Sequence, residues 1–276
     1  MYTDITEALL EMHYYQAFRA LVQDHLGREV LRILKPSTNE EAFLGFDQGF
    51  ARCNVSSAEL RQQLREAIAS NSGAISPMYM GYFLQYKRPE KLVRRHKKTT
   101  PADFAIPYYR FELKLEPSQV SGISQHESLL RLQQFRNADV SYACPMLFVE
   151  DDLFREPDLD DVRVVSLSTA PSGYSTNERH FVAFRTKDDE NPNWCSEPTP
   201  GKSQSLPDWF RSLRIELMTP EAFLEWYEEL TRFIVRLSLK TSGDRPSLPP
   251  ALTILELGRP IGQGPAIEGL KRTGAG

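Results

Sequence analysis

Gln85 and Lys87 stand two residues apart in the stretch Tyr82-Phe83-Leu84-Gln85-Tyr86-Lys87-Arg88. The alternation predicts a β-strand with Phe83, Gln85 and Lys87 on one face and Tyr82, Leu84 and Tyr86 on the other. The second face suits a core. The first does not, because an amide and an ammonium are costly to bury unless each finds a partner. The functional reading is that both point into a metal-dependent phosphodiester-cleaving site. The competing reading is an edge strand whose polar face is wet. Immediately downstream, residues 87–98 hold seven Lys or Arg and one His against a single acid, Glu90. Such blocks are by default solvated surface. In a chain of net charge −4, cations concentrated beside that strand also read as a local seat for a nucleic-acid backbone. Its members are Lys87, Arg88, Lys91, Arg94, Arg95, Lys97 and Lys98.

The elements that must position these groups follow from periodicity. Residues 4–34 read as helix broken near Gly27, with Thr3 or Asp4 as N-cap and Ile5, Leu9, Met12, Ala17 and Leu21 as its apolar side. Glu7 and Glu11 lie four apart, hence on one helical face, where either alone also reads as a solvated charge favoured by the helix dipole. Asp47 closes the apolar run that starts at Ala42, and residues 49–55 continue as strand or hairpin. Ser56-Ser57 then caps a helix to about Ser70. Residues 106–115 predict a second strand, with Arg110, Glu112 and Lys114 as a salt-bridged outer face. Gln125 and His126 open an amphipathic helix, His126 being expected at the surface or as a cap. Residues 140–149 predict a strand, at an edge or bent because of Pro145. Strands at 162–167 and 180–185 read as a pair, and 187–207 as a loop centred on Trp194. A helix follows over 220–239, its aromatic residues serving packing, and then a tail rich in Gly and Pro.

Composition bounds the classes. The chain has 276 residues, 41% hydrophobic and 25% charged, enough for a sizeable core. No apolar run is long enough to span a membrane, and the acidic N-terminus is unlike a secretory signal. Cys53, Cys144 and Cys195 are scattered singly, which argues against a disulfide framework or zinc ribbon and for a cytoplasmic setting.

Asp47, Gln85-Tyr86-Lys87 and the Gln125 helix leading into the Val140 strand together resemble the PD-(D/E)XK, restriction-endonuclease-like nuclease superfamily, in its D…Q-x-K variant. The resemblance implies an α/β (α+β) fold, a mixed sheet flanked by helices over residues 1–150. Over the spacing the family usually shows, residues 56–73 become a helical insertion. An accessory α+β region at 151–240 and a loosely structured tail at 241–276 would follow. It further implies a metal site for Mg2+ or Mn2+. Asp47 would be principal ligand, Gln85 a neutral ligand, Lys87 the residue that orients or activates water, and Glu7 or Glu11 (or Glu41) the acid from outside the strands. The activity implied is DNA cleavage, as in antiviral defence or mobile elements. The alternative is a catalytically inactive module of the same fold that binds nucleic acid or a partner protein. Residues 150–276 are the expected site for such a partner, and a homo-oligomer is compatible with this reading. A second match, Asp103 with Glu112-Leu113-Lys114, fits the literal D…E-x-K pattern and ranks behind it, because Asp103 lies in a loop rather than on a strand.

Overall fold

The computed structural model describes residues 5–26, 32–34, 48–51, 62, 65–66, 68–70, 75–76, 82–95, 101, 103–117, 122–136, 138–171, 173–174, 179–195, 198–213, 219, 221–222, 224–226, 228–229, 232–233 and 259–260. Among the described residues the fold is α+β, with a six-stranded mixed sheet, a five-stranded antiparallel sheet and a separate two-stranded antiparallel pair. Helix α1 (Glu7–Leu26) comes first, followed by strands β1 (Arg32–Leu34), β2 (Gln48–Ala51) and β3 (Ile75–Ser76). Then come β4 (Tyr82–Tyr86), β5 (Glu90–Leu92), β6 (Tyr108–Leu113), helix α2 (Gln125–Gln133) and β7 (Asp139–Pro145). Two 3-10 turns, Glu150–Phe154 and Leu159–Asp161, lead into β8 (Val162–Ser166). A third 3-10 turn, Leu167–Thr169, is followed by β9 (His180–Phe184), β10 (Asn193–Cys195), β11 (Thr199–Pro200), β12 (Ser203–Ser205), helix α3 (Leu206–Ser212) and β13 (Arg259–Pro260).

The larger sheet runs β1-β2-β4-β7-β8-β12 and the smaller β11-β10-β9-β6-β5. In the larger sheet β1, β2 and β4 are antiparallel neighbours, whereas β4 and β7 are parallel. A parallel pair needs a long crossover, and here it takes in β5, β6 and α2. Both sheets take strands from either side of residue 150, so the acidic stretch at 151–161, which holds one proline, connects β7 to β8, its neighbour in the larger sheet. β13 pairs with β3, tying Arg259–Pro260 to Ile75–Ser76.

One apolar core serves both sheets. Phe83, Val140, Tyr142 and Val164 of the larger sheet join Phe111, Leu113, Val182 and Trp194 of the smaller. α1 adds Leu10, Tyr14 and Phe18, and α2 adds Leu129 and Leu132. A lesser cluster, Phe104, Tyr108, Ala183 and Cys195, lies apart from it.

Several local expectations are corrected. Residues 32–34 are strand, not helix: after Gly27 the segment Arg-Ile-Leu finds a partner in β2, with Ile33 opposite Phe50. The buried stripe of α1 is Leu10, Tyr14 and Phe18, while Leu9 is 39% and Met12 71% exposed. Thr6 supplies a side-chain cap, its Oγ1 accepting from Leu9 N at 3.2 Å, while Thr3 and Asp4 lie outside the described residues. β7 is a central strand between β4 and β8, and Pro145 is tolerated because it is the last residue of the ladder. β8 and β9 belong to different sheets and do not pair. Trp194 sits in β10, fully buried.

Candidate functional site

β4 lies in the middle of the larger sheet, so the face that carries Gln85 and Lys87 is enclosed. Gln85 is 0% and Lys87 1% exposed. A buried ammonium demands partners, and Lys87 has them from two helices. Its Nζ donates to Gln125 Oε1 at 2.6 Å and stands 3.7 Å from Glu7 Oε1. It also lies 5.7 Å from the centre of the Tyr142 ring, which faces a cation with its negative quadrupole. The Lys87 backbone N–H donates to Ala143 O at 2.8 Å, extending the β4–β7 ladder by one residue and fixing where the side chain begins.

Each partner is placed by local chemistry. Ser124 caps α2, its Oγ accepting from Glu127 N at 3.1 Å in a Ser-x-x-Glu start. That fixes the first turn, where Gln125 faces Lys87. His126 N donates to Lys114 O at 3.5 Å, joining the start of α2 to the end of β6. Glu7 opens α1, where a carboxylate suits the helix dipole. Its second oxygen meets Lys114 Nζ at 3.2 Å. Glu11, one turn further on, is 5% exposed.

His126 is not a surface residue. It is 2% exposed, its ring stacked on Tyr142 at 6.0 Å and 9°, with Nδ1 2.7 Å from the Tyr142 hydroxyl. Tyr174 and Trp194 close around the same ring at 5.4 and 6.2 Å, and His180 packs on Tyr174 at 4.3 Å. Burial, and secondarily the positive charge of Lys87, push the His126 pKa down to about 4, so the imidazole is neutral at physiological pH. His126 Nε2 and the Tyr174 hydroxyl make no hydrogen bond among the described residues. Burial also raises the Tyr142 phenol well above its ordinary value. Gln85 and Tyr142 are register partners of β4 and β7, which sets their side chains on one face.

The structure therefore brings together Glu7, Lys87 and Gln125, with Gln85, His126 and Tyr142 beside them. Asp47 and Glu41 lie outside the described residues. By sequence, Asp47 precedes Gln48, whose antiparallel partner Leu84 precedes Gln85. Among the described residues no group of three His, Cys, Asp or Glu is arranged to hold a metal ion.

The second match does not converge. Asp103 pairs with Arg185 at 2.6 Å, which holds its carboxyl below the usual range. Glu112 binds Arg179, with the same effect on its pKa. Lys114 alone reaches the site, through Glu7. On the same strand Arg110 is buried, bonding Glu90 at 2.8 Å and lying 3.8 Å over Phe181. Of the basic run, Arg88, Lys91, Arg94 and Arg95 are exposed. Arg88 donates to Ile5 O and Arg95 to Phe104 O. Lys97 and Lys98 lie outside the described residues.

Sequence reasoning missed Lys114 as a neighbour of Lys87, and missed the aromatic cage around His126. The first has no local signal, since it depends on two sheets meeting. The second had one: a tyrosine among the small residues of Val140-Ser141-Tyr142-Ala143-Cys144.

Comparison with family models, with curated proteins and with solved structures finds no match to this chain. No helix of the described residues is long and apolar enough to cross a membrane.

Proposed function

We propose that the chain is a Mg2+- or Mn2+-dependent nuclease that hydrolyses phosphodiester bonds in DNA, working in the cytoplasm as a defence or mobile-element effector. One observation carries the reading: a buried lysine directly after the central strand β4 meets Gln125 from α2 and Glu7 from α1. A scaffold has little reason to bury an ammonium and supply it with polar groups from two separate helices. The order of elements agrees with the resemblance: a helix, antiparallel β1, β2 and β4, then α2 and the parallel strand β7.

The candidate donors are oxygens, the kind a hard divalent ion takes. They are the carboxylate of Asp47, the amide of Gln85 and an acid of α1, Glu7 or Glu11. A divalent ion bound there would polarise the phosphoryl group and lower the pKa of an attacking water. Lys87 would orient that water and offset the negative charge that develops, with Gln125 aiming its ammonium. The exposed Arg88, Lys91, Arg94 and Arg95, with Lys97 and Lys98, would track the DNA backbone.

A second reading has its own support in the 1% exposure of Lys87: a silent site in a module that only binds nucleic acid or a partner protein. Plasmid DNA incubated with the protein and Mg2+ or Mn2+ separates the two. Nicking that disappears in Asp47→Ala supports the nuclease. DNA binding without nicking in either metal, and with metal affinity unchanged in Gln85→Glu, supports the silent module.

A further inference from the structure

Glu7 is held by two ammonium groups that arrive from different sheets. Its Oε1 stands 3.7 Å from Lys87 Nζ and its Oε2 3.2 Å from Lys114 Nζ. Lys87 directly follows β4 of the larger sheet, and Lys114 directly follows β6 of the smaller. The frame beneath them is built. Lys87 N is tied to Ala143 O and His126 N to Lys114 O, while Gln125 Oε1 accepts from Lys87 Nζ. Side-chain exposure rises outward, from 1% at Lys87 through 29% at Glu7 to 58% at Lys114. Glu7 thus stands between the buried cation and the surface one.

An oxyanion with one ammonium on each of two oxygens is the way lysines hold a phosphate, as point charges rather than as a planar fork. Two lysines converging without an anion between them would repel, so something negative belongs there when no ligand is bound. We propose that Lys87 and Lys114 form a two-cation seat for a phosphate group, and that Glu7 fills it as an internal stand-in which an incoming phosphate displaces. The inference rests on the phosphodiester reading of this site and adds to it a phosphate position. It also makes Glu7 a competitor of the ligand instead of a metal ligand, since both carboxylate oxygens already face cations.

The test is a titration of inorganic phosphate into the full-length protein without metal, by calorimetry or 31P NMR. Wild type is compared with Glu7→Gln, Lys114→Ala and the double variant. Glu7→Gln is expected to bind phosphate about tenfold tighter, and Lys114→Ala several-fold weaker, as loss of one charged contact predicts. The double variant should fall back below Glu7→Gln. Equal or weaker binding by a folded Glu7→Gln overturns the seat. Should that variant not fold, Lys114→Ala still decides, because Lys114 is surface-exposed at a strand end and unchanged affinity there also overturns it. Phosphate binding as expected, in a protein that cleaves no DNA with either metal, would keep the seat and sink the nuclease reading. Cleaving protein whose Glu7→Gln form loses metal affinity and keeps its phosphate affinity would do the reverse.

Discussion

Lys87 and His126 occupy one buried neighbourhood, and only one of them can carry charge there at little cost. Lys87 has Gln125 and Glu7 beside it, whereas His126 has the Tyr142 hydroxyl and aromatic rings. The imidazole is accordingly neutral, its pKa lowered to about 4. An unfolded chain would protonate it near 6.5, so the native state is the weaker proton acceptor. Its contribution to stability is complete above pH 6.5 and is lost as pH falls toward 4, amounting to roughly 3 kcal/mol at most. Urea unfolding at pH 7.5 and pH 4.5 should show this loss in wild type and much less of it in His126→Gln. An equal loss in both proteins would contradict the assignment. Lys87→Met removes the nearby charge and should move the His126 titration, followed by NMR of the ring carbons, part of the way back toward 6.5. The pair of Gln85 and Lys87 was legible because strand alternation exposes a misplaced polar residue. The burial of His126 was not, because a histidine in the first turn of a helix looks the same from sequence whether a sheet covers it or water does.

α1 illustrates how a helix hides its inner face. Glu7-Ala8-Leu9-Leu10-Glu11-Met12-His13-Tyr14 offers apolar residues on several sides, so spacing alone permits more than one stripe. The fold selects Leu10, Tyr14 and Phe18, three residues at strict intervals of four, and leaves Leu9 and Met12 outward. Leu10→Ala should therefore cost about 2–5 kcal/mol, whereas Met12→Ala should stay within about 0.5 kcal/mol, in chemical denaturation. Similar costs for the two would mean that the helix is rotated from the orientation described. β7 shows the opposite case. Its apolar run declares a buried strand, and Pro145 argued for an edge. The proline closes the strand, so the position within the sheet depended on pairing with β4 and β8 that no local pattern reveals. Trp226 is a third case, a helical aromatic whose Nε1 donates to Arg136 O at 2.7 Å while its ring packs near Phe135. Trp226→Ala should lower stability by about 3–5 kcal/mol.

Both sheets draw strands from the early and the late chain, and that interleaving was illegible for a physical reason. Strand pairing between distant segments is decided by tertiary packing, whereas turns, caps and alternation are local. The core that the two sheets share with α1 also brings Lys114, at the end of β6, to Glu7 in the candidate site. Charge also acts across the whole molecule. The net charge is −4, yet Lys91, Arg94 and Arg95 are exposed together after β4. Replacing Arg94, Arg95, Lys97 and Lys98 by Ala should lower the slope of log affinity for DNA against log salt by about 3–4, since each phosphate contact contributes about 0.9. An unchanged slope would make the run ordinary surface. The most direct measurement of the central claim is single-turnover cleavage of a short DNA duplex in Mg2+ by wild type and by Lys87→Ala, with circular dichroism to show that both are folded. The site described here predicts metal-dependent cleavage by wild type and a loss of about a hundredfold or more in the variant. Cleavage at the same rate by a folded Lys87→Ala would contradict it.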